Sequence, residues 1–201
     1  MGKPEFGKSA LMKFLASHLS TREALLQCAG TNKLIIANFF FWNGGTQMQK
    51  SQEGLLRSLL FEILRQCPVM IPYIPAKWTT IDGFEDRINP WITLELLKSF
   101  SELRKQIEHS TRFCFFIDGL DEYEGECSDL IKALQVLSDS PIIKICASSR
   151  PWFDFKDIFG QSPLRMLKLE NLTREDIALY VNDTLGSHPR FAVLWKKNAQ
   201  Y

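Results

Sequence analysis

Apolar positions follow two alternating rhythms along the chain. Unbroken apolar runs occur at Lys33–Trp42 (KLIIANFFFW), Phe113–Ile117 (FCFFI) and Ile142–Ala147 (IIKICA). Short runs of this kind read as strands buried on both faces of a sheet. A shorter run at Arg165–Leu169 predicts a fourth strand. Between the runs the spacing is helical. Leu11, Phe14, Leu15 and Leu19 mark a helix over residues 8–19, and Leu55, Leu59, Phe61 and Ile63 mark one over Ser51–Gln66, stopped by Pro68. Helices are also predicted over Ile92–Glu108, Asp129–Leu137 and Thr173–Leu185, the last opened by Thr173 with Asp176 three residues on, in the manner of a capping box. Residues 68–90 carry four prolines and read as an irregular connection. The last fifteen residues show no clear pattern beyond a short helix. Strands alternating with helices predict an α/β fold, a parallel sheet covered on both sides, in one domain over residues 1–201.

The first candidate chemistry lies at the start. Gly2-Lys3-Pro4-Glu5-Phe6-Gly7-Lys8-Ser9 fits the phosphate-loop pattern G-x-x-x-x-G-K-[ST]. Glycines let backbone N–H groups turn inward around phosphate oxygens, and the helix that follows adds its positive end. In that arrangement Lys8 reaches the β- and γ-phosphates and the Ser9 hydroxyl ligates Mg²⁺. Glu5 places a carboxylate in the cradle and Phe6 a bulky ring. The alternative reading is a loop that keeps its shape without its ligand.

The second is the end of the Phe113–Ile117 run. A buried strand there delivers Asp118 to the C-terminal edge of the sheet, where α/β proteins bind ligands. Asp118 is placed to hold Mg²⁺, and Asp121 or Glu122 in the same acidic loop to orient and deprotonate a water. The spacing leaves open which of the two is the base, with a slight preference for Glu122. A solvated acidic loop is the other reading. The third is Arg150, just past the Ile142–Ala147 run. It either senses a terminal phosphate or pairs with the acidic loop of the neighbouring strand.

Composition narrows the partners. The 201 residues carry 24 Lys and Arg against 23 Asp and Glu, a net charge of +1, so no field of one sign argues for nucleic acid or a membrane surface. No apolar stretch is long enough to span a bilayer. The five cysteines (28, 67, 114, 127 and 146) lack C-x-x-C spacing and read as reduced, and the three histidines are too scattered for a metal site. A cytoplasmic protein is expected.

These segments together resemble the NACHT domain of fungal NOD-like receptor proteins, including those with nephrocystin-type N-terminal domains. GKPEFGKSALMKFL, SQEGLLRSLLFEIL, WITLELLKSF, FCFFIDGLDEYEGE, IKICASSRPW and LENLTREDIALYVNDTL carry the resemblance in order. It implies a three-layer α/β/α P-loop NTPase with a mostly parallel sheet of order 5-1-4-3-2, binding ATP or ADP with Mg²⁺ and acting as a signalling switch that self-associates in a longer protein. It assigns Gly2 through Ala10 to the nucleotide loop, Ser9 and Asp118 to the metal, Asp121 and Glu122 to catalysis and Arg150 to the sensor position. Residues 171–201 would lead into a small helical domain. Glu5, Phe6 and Ala10 stand where the family usually has Gly, Ser and Thr. The family places a strand immediately before the phosphate loop, where this sequence has only Met1. A missing central strand forfeits on the order of 10 kcal/mol of burial, so the chain alone is expected to be marginal, with a gap or rearranged edge in its sheet.

Three functions follow as expectations. The first is a nucleotide-binding switch with slow hydrolysis at most. The second is a non-enzymatic interaction fragment that no longer binds nucleotide. A P-loop kinase is the weakest, since no acceptor-binding lid is evident.

Overall fold

A computed structural model describes residues 7–74, 90–107, 111–150, 155 and 166–169. The chain forms two compact units, Met1–Lys156 and Asp157–Tyr201. The first contains α1 (Lys8–Ser17), α2 (Leu19–Ala29), β1 (Lys33–Phe40), α3 (Gln47–Lys50), α4 (Gln52–Gln66), a 3₁₀ turn at Pro68–Tyr73, α5 (Pro90–Ile107), β2 (Thr111–Asp118), a second 3₁₀ turn at Leu120–Glu122, α6 (Cys127–Ser138) and β3 (Ile143–Ala147).

The three strands pair in parallel in the order β1-β2-β3. β2 explains why the sheet needs cover on both sides. All but one of its residues are buried, so its two faces must each meet a helical layer. On one face Phe113, Phe115 and Ile117 join Ile35, Ala37 and Phe39 of β1 against α4, α5 and α6. Leu55, Leu59 and Ile63 of α4, Leu96 and Phe100 of α5, and Leu130 and Leu134 of α6 complete this main core. On the other face Cys114 and Phe116 meet Met12 of α1, with Leu15, Leu25, Phe40 and Cys146 partly buried around them. The outer strands are less covered than their apolar runs suggest. β1 buries every second residue on one face, and β3 is half-buried or exposed throughout.

Local rules set the helix bounds. In α4 the Ser51 hydroxyl caps the first turn by accepting the Gly54 N–H at 3.1 Å, with Glu53 in the first turn and Arg65 in the last, each of the sign that suits its end. Cys67 before Pro68 ends it. The helix predicted over residues 8–19 is instead two. His18 adopts an extended backbone, gives its N–H to the Phe14 carbonyl at 2.8 Å, and accepts the Ser20 N–H on its ring Nδ1 at 3.2 Å. Neither Pro nor Gly marks this break.

Among the described residues no strand pairs with the outer edge of β1, and one side chain occupies its middle. The Gln66 carboxamide donates to the Ile36 carbonyl at 2.7 Å and accepts the Ile36 N–H at 3.4 Å, and Lys33 Nζ donates to the Gln66 carbonyl at 2.7 Å.

One further expectation is corrected. Of the strand expected at Arg165–Leu169, Met166–Lys168 carry no regular structure and Leu169 is helical, so no strand forms over these described residues. A strand exists through a ladder partner, and an apolar run alone does not supply one. Phe61, Phe14 and Leu19, which helped mark the helical spacing, are 64%, 53% and 74% exposed. Phe61 lies on the side of α4 opposite Leu59 and Ile63, and the break at His18 turns Leu19 away from the sheet. The helix expected at Thr173–Leu185 and the last fifteen residues lie outside the described residues.

Truncation should separate these positions. Leu59→Ala is expected to cost about 2–5 kcal/mol in urea unfolding, and Phe61→Ala less than about 0.5 kcal/mol. Equal costs would contradict the assigned face of α4. The thiols offer a pH test. Burial, with Cys146 beside it, pushes Cys114 from an ordinary 9.0 to about 11, and burial raises Cys146 as well. At pH 8 both should alkylate far more slowly than exposed Cys28. Because folding favours the neutral Cys114 thiol, stability should fall as pH climbs from 9 toward 11. Mass-resolved iodoacetamide labelling and melts across that range would read both.

Candidate functional site

Three chain segments meet at the C-terminal edge of the sheet. The first is the start of α1. Gly7 turns into the helix at φ 124°, a conformation glycine adopts readily and other residues do not. Gly7 has no side chain to cap the first turn, and the helix start presents backbone N–H groups at the positive end of the dipole. Lys8 and Ser9 open the helix there.

The second segment is the end of β2. The register sets Phe40 of β1 beside Asp118, and Ile117 beside Ala147 of β3. Asp118 is only 3% exposed. Gly119 then turns the chain at φ 72°, where a Cβ would lie 3.3 Å from the Phe41 carbonyl oxygen. The acidic loop follows as the 3₁₀ turn Leu120–Glu122.

The third is the exit of β3. Ser148 lies next to Asp118, as the register requires, and its hydroxyl donates to Asp118 Oδ1. Arg150 holds Asp121 twice, with its backbone N–H on Oδ1 at 2.8 Å and its Nε 3.1 Å from Oδ2. On the far side, Glu122 Oε2 accepts the Asn43 N–H at 2.8 Å, and Glu124 forms an ion pair with Lys50 at 2.9 Å.

Lys8, Ser9, Asp118, Gly119, Asp121, Glu122, Ser148 and Arg150 line a cleft of about 160 Å³. The structure therefore brings together six of the residues expected from sequence: Lys8, Ser9, Asp118, Asp121, Glu122 and Arg150. Gly7 and Ala10 flank the helix start without lining the cleft, and Gly2, Lys3, Pro4, Glu5 and Phe6 lie outside the described residues.

A family model described as Nephrocystin 3, N-terminal matches residues 1–150. The chain belongs to the nephrocystin 3 N-terminal family. No curated protein and no solved structure matches it. The span matched by the nephrocystin 3 N-terminal model ends at Arg150, so it contains every residue lining the cleft.

Arg150 is placed as one of its two sequence readings anticipated, paired with the acidic loop of the neighbouring strand. Ser148 and Asn43 are contacts that the sequence did not reveal. Ser148 follows an apolar run that says nothing of which residue stands beside it; only the parallel register places it against Asp118. The Asn43 contact is made by a backbone N–H, which no residue type announces. Tyr123, next in the loop, packs edge-on to Phe41 at 5.9 Å, and burial, then Asp129, Cys127 and Glu126, raise its phenol above the ordinary range.

Among the described residues no cluster of three or more His, Cys, Asp or Glu forms a metal cage. The donor set of the cleft still suits one kind of ion. A serine hydroxyl and a carboxylate are hard oxygen donors, which fit Mg²⁺ held by one or two protein oxygens together with phosphate and water.

The turn at Gly119 should be sensitive. Gly119→Ala is expected to destabilise the protein by about 1–2 kcal/mol through its left-handed backbone, and a thermal melt unchanged from the parent would contradict this.

Proposed function

We propose that the cleft binds the phosphates of ATP or ADP with Mg²⁺, as in NACHT-type P-loop proteins, and that the chain works as a nucleotide-dependent switch module with slow hydrolysis at most. One observation carries the reading. Lys8 and Ser9 at a helix start share a cleft with Asp118 at the end of a buried strand, although Asp118 is far from both in sequence. That combination supplies a cation for phosphate, first-turn N–H groups, and two oxygen donors for a metal.

In this reading Ser9 and Asp118 hold the Mg²⁺, which when bound offsets negative charge on the phosphates. Lys8 pairs with the phosphate oxygens. Arg150 takes the sensor position and reaches a terminal phosphate by leaving Asp121. Glu122 is the better base, because Asp121 has both oxygens engaged by Arg150. Glu122 lends one oxygen to the Asn43 N–H, and this resting engagement agrees with slow turnover. The order β1-β2-β3 agrees with a consecutive section of the expected five-stranded sheet. Self-association through this domain, in a cytoplasmic setting, belongs to the same proposal.

The Arg150–Asp121 pair favours a second reading. It neutralises part of the cleft from within, as expected of a non-enzymatic interaction fragment that has lost its ligand. ADP titration by calorimetry separates the two. The switch reading expects saturable binding. It also expects Lys8→Ala to remove a charge-assisted phosphate contact of about 1.5–3 kcal/mol, weakening Kd about ten- to a hundredfold. No saturable binding in the parent protein, or equal binding by Lys8→Ala, would leave the interaction fragment.

A further inference from the structure

Ser148 makes four hydrogen bonds within one turn of chain. Its N–H donates to the Ile117 carbonyl at 2.9 Å and its carbonyl accepts the Leu120 N–H at 3.0 Å. Its hydroxyl accepts the Gly119 N–H at 3.3 Å and donates to Asp118 Oδ1. A serine hydroxyl has one proton and two lone pairs. With Gly119 occupying a lone pair, the single proton is aimed at Asp118. The direction of the bond is thereby set, and Asp118 is the acceptor.

The carboxylates of this region are partnered unequally. Asp121 has a guanidinium against it, and Glu124 an ammonium. Asp118, the most buried of the cleft's acids, is given a neutral hydroxyl on one oxygen and no ion pair among the described residues. A buried carboxylate met directly by a neutral donor has no paired counter-charge in contact, and a bound cation supplies one. The hydroxyl also fixes the carboxylate's rotation, since Ser148 is tied by its own backbone on both sides.

We propose that Ser148 is a positioning residue that locks Asp118 with one oxygen occupied, so that the carboxylate is preset for a divalent cation in the cleft. This rests on the nucleotide reading above and adds to it a residue and a role. The hydroxyl acts through Asp118.

The test is the gain in ADP affinity on adding Mg²⁺, measured by calorimetry on the full chain with and without the metal. Ser148→Ala should reduce the Mg²⁺-dependent gain about tenfold or more, well beyond any change in metal-free ADP affinity, as loss of a residue supporting a metal ligand does. Ser148→Thr should restore the gain. If Ser148→Ala does not fold by circular dichroism, Ser148→Thr against Ser148→Val makes the same comparison, because the two differ in the hydroxyl. A parent-like Mg²⁺ gain in Ser148→Ala or Ser148→Val would overturn the role of Ser148 and leave nucleotide binding intact. So would an equal loss of affinity with and without metal, which marks a structural effect only. A parent protein that binds no ADP under either condition would overturn both readings together.

Discussion

Everything at the candidate site depends on β2 being buried on both faces. A strand so covered cannot shift by one residue without moving a carboxylate into the core. Its register against β1 and β3 is therefore strongly specified, and with it the positions of Asp118, Ser148 and Phe40. The main core on the α4, α5 and α6 side supplies most of this constraint. The second face buries fewer residues but carries α1, and α1 brings Lys8 and Ser9 to the same edge. One strand thus fixes the acid, and its two covers fix what the acid faces.

The hydrogen bonds past the strand ends extend this order into the loops. The exits of β1, β2 and β3 are joined through Phe41, Asn43, Ser148 and Arg150 to the segment Asp118–Glu122. Most of these contacts use backbone groups, so the acidic loop is held by chain geometry more than by side-chain identity. Ser148 and Arg150 are the exceptions, each holding a carboxylate with its side chain. The loop's acids are consequently distinct in environment despite standing within a few residues of one another.

How much of this the sequence discloses follows from which forces are local. The three long apolar runs mark β1, β2 and β3, although only β2 is buried on both faces. The helix of Ser51–Gln66 is legible from its spacing, its serine cap and Pro68. The break at His18 is not, because it depends on a ring nitrogen accepting a backbone N–H. Nor is α2, whose polar sequence, LSTREALLQCA, shows little of an apolar stripe. Arg165–Leu169 has the composition of a strand, but pairing is a property of two segments. At the site, Lys8, Ser9, Asp118, Asp121, Glu122 and Arg150 were legible because charge and motif spacing are visible in residue types. Ser148 and Asn43 enter through register and backbone, which are not.

The Gln66 contact on β1 has a consequence for association. A parallel sheet ends in a row of amides and carbonyls that another chain can extend. Here one side chain offers Ile36 both the donor and the acceptor that a neighbouring strand would have brought. A second molecule adding at this edge would first have to displace that amide. The sheet is in this sense terminated by its own helix α4, and polymer-like growth through β1 is opposed by a single glutamine.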